Sequence, residues 1–421
     1  MDIFRIEGRT RLSGEIKVGG SKNAALPILA ATLLAKGTSV IKNVPLLSDT
    51  SFMIKILEVI GCDCKREGST VTINTDNDIL PFGDYDIVRK MRASICILGP
   101  LLARCGKVQV SMPGGCAIGD RPVDMHLRGL KALGGKIHLD NGYIIAEAAD
   151  GLKGKQIFLG GPFGSSVLGT ANVAMAATLA EGITTIECAA CEPEIEDLCN
   201  FLIAMGAKIK GAGTPRLIIE GVEKLHPAEY SVIPDRIEAG TFMIAAAITG
   251  GELELDGCDC NHLVAATDTL ERIGSKIIPT DTGCIVSHCG RINPADITTQ
   301  PYPGFPTDLQ AQFMAMLSMA NGNSVVTEKI YPDRFMHIAE LNRMGASLRK
   351  EGPCTIVSGV DKLTGAQIMA SDLRASAALV LAAMAAEGET IINRVYHIDR
   401  GYEKIEEKLN AVGAKIYRED V

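Results

Sequence analysis

Aromatic residues make up only 4% of the 421-residue sequence, and tryptophan is absent. The interior must therefore be filled by Ala, Ile, Leu, Val and Met, which suits closely packed helices and strands. No run of ~18 uncharged apolar residues appears, which argues against a membrane-spanning helix. The opening MDIFRIEGRTRLSG lacks the apolar core of a secretory signal, so a cytoplasmic protein is expected. Positive charge is not in excess: the net charge of −8 argues against non-specific nucleic-acid binding. An anionic ligand would then need a local cluster of Lys and Arg. The seven histidines show no metal-site spacing, and no Walker A sequence supports ATP hydrolysis.

Thirteen cysteines are present, and in a reducing compartment they are expected to be free thiols. Cys188-Ala-Ala-Cys191 has redox or zinc spacing, but no second such pair accompanies it. Cys62/Cys64 and Cys258/Cys260 each follow a glycine with one residue between the two cysteines. They read as small buried residues at strand ends, and no metal site is expected.

Six similar phrases recur about every 70 residues. In each, an alanine-rich helical run ends at glycine and a β-branched strand follows, as in AATLLAKGTSVIKNV and AAMAAEGETIINRV. The glycines are Gly37, Gly106, Gly182, Gly251, Gly322 and Gly388. A second set, Gly61, Gly134, Gly206, Gly274, Gly345 and Gly413, follows amphipathic runs such as IEEKLNAVG. Glycine there is expected to cap the helix in a left-handed conformation. Six units split into three plus three, predicting two similar α/β domains that meet near His226–Pro234, with a cleft between them as the default substrate site. The first ~20 residues are expected to form an extra strand pair.

Four stretches carry candidate chemistry. In SMPGGCAIGDRPVD, three glycines and two prolines surround Cys116 and describe a loop. Cys116 should be partly exposed, unlike the other twelve cysteines, and the neighbouring Arg121 would favour its thiolate. In VGGSKNAALP, two glycines lead through Ser21 to Lys22 and Asn23 at a helix start, an anion site or simply a cap. MRASICIL and LRASAALV place Arg92 and Arg374 at equivalent positions heading buried helices, and Arg400 lies in HIDRGYEK. These arginines either pair with local carboxylates such as Asp372 or Asp399, or converge on an anionic ligand. Asp235 and Glu238 in PDRIEAGTF are further carboxylates, and Asp308 in YPGFPTDLQ is either a helix-start residue or a general base. His126 and His397 lie near the loop and Arg400 respectively.

In this order, GGSKNAALP, PGGCAIGDRPVD, PDRIEAGTF, YPGFPTDLQ, SDLRA and HIDRGYE closely resemble the UDP-N-acetylglucosamine 1-carboxyvinyltransferases of the enolpyruvyltransferase family, from about Met1 to Tyr417. The resemblance implies two inside-out α/β domains, each of three βαβαββ repeats, with the active site in the interdomain cleft. Residues 22–233 would form one domain, and 1–21 with 234–421 the other. It implies transfer of the enolpyruvyl group of phosphoenolpyruvate to the 3′-hydroxyl of UDP-N-acetylglucosamine, the first committed step of peptidoglycan synthesis, with no cofactor and no obligate protein partner.

By the same resemblance, Lys22, Arg121 and Arg400 hold phosphoenolpyruvate, with Arg92 and Arg374 in support. Asn23, the backbone of Arg121, Pro122, Val123 and Asp124, and Ser166, Val167, Ile330 and Asp308 hold the nucleotide sugar. Cys116 is the loop cysteine that reacts with phosphoenolpyruvate and, in this family, with the epoxide fosfomycin. Asp308 is the base for the sugar hydroxyl, and Asp372 takes part in proton transfer.

Two departures stand out. Leu168 replaces a glycine, with Gly169 one place later, and Pro332-Asp333-Arg334-Phe335 replaces Glu-Asn-Arg-Phe. Altered affinity with retained reaction is expected. The competing readings are an enzyme using 3-phosphoshikimate, which should lack the loop cysteine, and a catalytically silent UDP-sugar-binding regulator.

Overall fold

A computed structural model describes residues 2–89, 91–113 and 123–420. The described residues divide into two compact units, one taken from between Gly20 and Ile233 and the other gathering the chain up to Gly19 and from Pro234 onward.

The first unit holds three four-stranded sheets of one design. Glu229–Ser231, Thr38–Lys42, Thr70–Asn74 and Asp63–Glu67 form one sheet in that order. The outermost pair is parallel and the other two pairs are antiparallel. The sheets centred on Lys107–Ser111 and Ile183–Glu187 repeat the pattern. Strand burial alternates, so each sheet presents one face to the core.

That core is helical. Helices Lys22–Ala31, Leu98–Cys105 and Val167–Ala177 are rich in small apolar residues, and Val167–Ala177 is buried from Gly169 to its end. A helix apolar all round has to sit inside. The amphipathic helices Ser48–Ile60, Asp124–Ala132 and Pro193–Ala204 each give way to a glycine in the left-handed region: Gly61 (φ 112°), Gly134 (φ 102°) and Gly206 (φ 101°).

The second unit is built alike. Helices Arg236–Ile248, Gln310–Leu317 and Leu373–Ala385 are buried and pack on one another. Val264–Ile273, His337–Arg343 and Ile405–Ala411 lie outside them, followed by Gly274, Gly345 and Gly413, all with positive φ. All six expected cap glycines thus take the left-handed conformation.

Two expectations need correction. The N-terminal strands do not pair with each other. Asp2–Glu7 lies between Glu389–Asn393 and Ile416–Asp420, while Ser13–Lys17 runs parallel to Glu252–Asp256 in a different sheet. Each supplies the strand that its sheet lacks from its own repeat. Gly251 follows the end of helix Arg236–Ile248, as expected, with Gly250 beside it at φ 62°. Gly251 is needed there for closeness, since a Cβ would lie 2.3 Å from the Leu12 carbonyl oxygen. Finally, the twelve described cysteines are not all buried: Cys289 is exposed just past strand Gly283–His288, and Cys64, Cys105, Cys188, Cys191, Cys260 and Cys354 are partly exposed. Among the described residues no helix is long and apolar enough to cross a membrane.

Candidate active site

In the unit from Gly20 to Ile233, Lys22 opens its helix behind Ser21, whose Oγ accepts from the Ala24 N–H at 3.4 Å. The Lys22 side chain is buried, and its Nζ lies 3.2 Å from Oδ2 of Asp49, itself buried in the first turn of Ser48–Ile60. A buried ammonium keeps its charge only with such a partner. Asn23 follows at partial exposure.

Around this helix pack the segment Arg92–Ile97 and the helix Val167–Ala177. Asn172 fastens three elements together. Its Oδ1 accepts from Gly99 N–H at 2.6 Å, and its Nδ2 donates to the Ile95 carbonyl at 2.8 Å and to His126 Nδ1 at 2.9 Å. His126, in the helix that begins at Asp124 just after buried Val123, is thereby held as an acceptor and neutral. Burial, reinforced by the charge of Arg92, pushes its pKa down to about 3.

Ser166 caps Val167–Ala177, its Oγ accepting from the Gly169 N–H at 3.1 Å. The glycine shifted by one place therefore meets the cap directly, and a Cβ on Gly169 would lie 2.9 Å from that Oγ. Leu168 is accommodated half-buried in the first helical turn. Cys116, Arg121 and Pro122 lie outside the described residues.

In the other unit the charged centre is Asp308, in the turn Thr307–Leu309 that feeds Gln310–Leu317. Its Oδ1 receives Arg334 Nη1 at 2.8 Å and its Oδ2 receives Arg374 Nη2 at 3.4 Å. Both guanidiniums are buried. Burial alone would lower the Arg374 pKa, but Tyr402 and Asp308 outweigh it and leave it above its ordinary value. Arg374 stacks over the Tyr402 ring at 5.3 Å, while its Nη1 has no hydrogen-bond partner among the described residues.

A second buried carboxylate supports this pair. Glu328 accepts from Thr299 Oγ1 at 2.7 Å, Thr307 Oγ1 at 2.9 Å, and the N–H groups of Ile330 and Tyr331 at 2.8 and 2.9 Å. Thr307 Oγ1 in turn receives Arg334 Nη1 at 2.9 Å. Glu328, Thr307, Arg334, Asp308 and Arg374 thus form one continuous polar chain that also fixes the Ile330 backbone. The substituted Asp333 points elsewhere, 3.4 Å from Lys350 and largely exposed.

The remaining candidates divide. Asp372 caps Leu373–Ala385, accepting from the Arg374 and Ala375 N–H groups at 3.0 and 3.1 Å. Asp399 pairs with Arg418 at 2.6 and 3.1 Å, so the carboxylate that holds the Arg374 guanidinium is Asp308. Arg400 ends the turn Val395–Arg400 at partial exposure and, after burial, helps lower the His397 pKa. Asp235 caps Arg236–Ile248, and Glu238 binds Lys408 and the Gly19 N–H at 2.7 and 2.6 Å, so both are architectural. Buried His337 has its pKa pushed down to about 4 by burial.

Sequence reasoning passed over Asp49, Asn172, Glu328 and the pairing role of Arg334. Asp49 and Glu328 look in sequence like ordinary surface carboxylates beside helix and strand ends. Arg334 carried a signal, since it was the charge kept within the altered Pro332–Phe335 stretch.

A family model described as EPSP synthase (3-phosphoshikimate 1-carboxyvinyltransferase) matches residues 6–409. Curated relatives named UDP-N-acetylglucosamine 1-carboxyvinyltransferase include one from Methylacidiphilum infernorum, 53% identical over 99% of both chains. Another, from Gluconobacter oxydans, is 54% identical over 99% of both. Among solved structures, the enolpyruvyl transferase NikO from Streptomyces tendae superposes with a TM-score of 0.89 at 24% identity, covering 99% of this chain and 98% of that one. An EPSP synthase from Acinetobacter baumannii gives 0.77 at 19% identity over the whole of both chains. At those identities the two structures speak for the two-domain inside-out fold alone.

Proposed function

The chain belongs to the EPSP synthase family, and from that premise we propose that it transfers the enolpyruvyl group of phosphoenolpyruvate to the 3′-hydroxyl of UDP-N-acetylglucosamine. The observation that carries this reading is the 53% identity, over 99% of both chains, to an enzyme named for that reaction.

In this reading the sugar hydroxyl adds to C2 of phosphoenolpyruvate as C3 takes a proton, giving a tetrahedral phospho-ketal. Loss of the C3 proton and cleavage of the C2–O bond to phosphate then give the enol ether and free phosphate. Asp308 takes the hydroxyl proton, held in place by Arg334 and Arg374. Lys22, Arg121 and Arg400, supported by Arg92 and Arg374, neutralise the phosphate and carboxylate. The partnerless Nη1 of Arg374 is a donor suited to an anionic oxygen. Asn23, Ser166, Val167, Ile330 and the backbone of Arg121–Asp124 hold the nucleotide sugar, and Asp372 serves proton transfer. Cys116 donates to C3 or reacts with phosphoenolpyruvate from its loop. No cofactor, obligate protein partner, membrane or nucleic acid enters the reaction. The enzyme works in the cytoplasm, at the entry to peptidoglycan synthesis.

Phosphate release from phosphoenolpyruvate tests the reading, with UDP-N-acetylglucosamine as acceptor and shikimate 3-phosphate as control. Release that requires the nucleotide sugar, stops on alkylation of Cys116, and persists in Cys116→Asp is expected. Release with the shikimate acceptor instead would make the chain the other kind of family member. Binding of the nucleotide sugar without any release would make it a regulator.

A further inference from the structure

Cys258, Cys260 and Cys284 bring their three Sγ atoms within 4.8 Å of one another, although Cys284 is far from the other two in sequence. The fold creates this meeting. Strand Glu252–Asp256 pairs antiparallel with Gly283–His288, setting Leu255 opposite Cys284. Beyond that strand, Gly257 takes φ 81° and turns the chain back, so that Cys258 and Cys260 return towards the partner strand. Gly283 makes room for the turn, since a Cβ there would lie 1.8 Å from the Leu255 carbonyl oxygen. Cys258 and Cys284 are buried and Cys260 is half-buried.

The separations suit one small ion. Three sulfurs at ~2.3 Å from a common centre stand about 3.8–4.0 Å apart, in tetrahedral or trigonal geometry. Modest side-chain movement from the observed spacing achieves this. Thiolate ligands select soft closed-shell cations over Mg²⁺ or Ca²⁺. A small cavity lined by Arg236, Cys258, Asp259 and His262 opens beside Cys258. Asp259 caps the Asn261 N–H at 2.9 Å, which keeps the turn carrying Cys260 in shape. Among the described residues no other group of three or more His, Cys, Asp or Glu side chains converges in this way.

We propose that Cys258, Cys260 and Cys284 form a three-thiolate binding site for a thiophilic d¹⁰ cation, Zn²⁺ or Cu⁺, separate from the enolpyruvyl-transfer residues. Binding exchanges thiol protons for the ion and ties the turn after Gly257 to strand Gly283–His288. The pairwise spacing in sequence had suggested only buried packing at Cys258 and Cys260, because the third ligand comes from the adjoining strand.

The test uses the full-length protein, reduced and freed of metal under anaerobic conditions, then titrated separately with Zn²⁺ and with Cu⁺. Native mass spectrometry is expected to show one ion retained, and Co²⁺ substituted for Zn²⁺ should give a near-ultraviolet thiolate charge-transfer band. In the unaltered protein, bound ion should slow maleimide labelling of Cys258, Cys260 and Cys284 at least tenfold, read peptide by peptide, and leave Cys191 and Cys289 unaffected. Cys260→Ser, at the half-buried position, should weaken retention by tenfold or more, with Cys191→Ser as the unaltered control. Retention of one metal and not the other identifies the ion. No retention of either metal, or protection confined to other cysteines, overturns the proposal. The labelling measurement requires no variant, so a misfolded Cys260→Ser protein does not blunt it.

Discussion

Removing the carboxylate of Asp308 leaves two buried guanidiniums with their shared anion gone. Arg334 and Arg374 have side-chain exposures of 6% and 3%, against 26% for Asp308. Neither arginine can escape by losing a proton, because a guanidinium stays charged in a protein. Breaking a buried pair in this way typically costs about 3–5 kcal/mol. The partial exposure of Asp308 lets water reach the vacated position, so Asp308→Ala is expected near the lower end, about 3 kcal/mol. For a unit of roughly 200 residues, each kcal/mol moves Tm by about 2–4 °C, which puts the expected fall at roughly 6–12 °C.

Thermal unfolding followed by circular dichroism reads the fall directly. The double variant Asp308→Ala, Arg334→Met should recover more than half of it, since one of the two like charges goes with the carboxylate. Added inorganic phosphate should raise the Tm of Asp308→Ala more than that of the parent, because an anion can take the vacated place. A fall of less than ~2 °C, or a double variant no more stable than Asp308→Ala, would refute the reasoning.

Acid should weaken the fold through two neutral histidines. Unfolded histidine takes its proton near pH 6.5, whereas buried His126 and His337 wait until about 3 and about 4. Stability is therefore lost as pH falls below 6.5, by about 2 kcal/mol per histidine at pH 5. Urea unfolding at pH 7.5 and 5.0 measures this, and His126→Gln, which keeps an acceptor for Asn172, should remove about half of the slope; an unchanged slope would count against the burial account. Ser166→Ala removes the cap on Gly169 N–H and should cost about 1 kcal/mol while weakening UDP-N-acetylglucosamine binding in calorimetry. Unaltered affinity with the stability loss present would reduce Ser166 to a cap.

The repeat was legible because glycine has few reasons to recur every 70 residues, and a positive φ at the end of an amphipathic helix is the commonest. Gly251 marks a helix end for a different reason, the close approach of the Leu12 carbonyl, which sequence alone does not separate from a turn. The N-terminal strands were assigned to each other because adjacent strands usually pair. Here each sheet's vacancy, set by the repeats at the other end of the chain, decided the partner. Charged residues in apolar phrases, Lys22, Arg92 and Arg374, announced themselves. Their pairings did not: Asp49 went unnoticed, and Asp308 was singled out only as a base or helix-start residue, because tertiary packing that brings up a counter-ion leaves no periodic trace. The three-thiol cluster was hidden for the same reason.

Those counter-ions bear on how the proposed chemistry would be controlled. Lys22 is buried against Asp49, and a lysine so buried without an anion would tend to shed its proton and with it the charge that the proposed binding of phosphoenolpyruvate calls for. Asp49 thus maintains the ammonium, at the cost of partly screening it. Asp308 holds two guanidiniums, so two cations share a single carboxylate there. If Asp308 accepts the sugar's proton, its own charge vanishes and both arginines lose compensation, a cost on the same scale as that expected for Asp308→Ala. An anionic substrate on the guanidiniums removes that cost by taking over the pairing. Proton abstraction would then be favourable only with phosphoenolpyruvate in place, and the phosphate-dependent rise in Tm of Asp308→Ala reads this exchange of one anion for another.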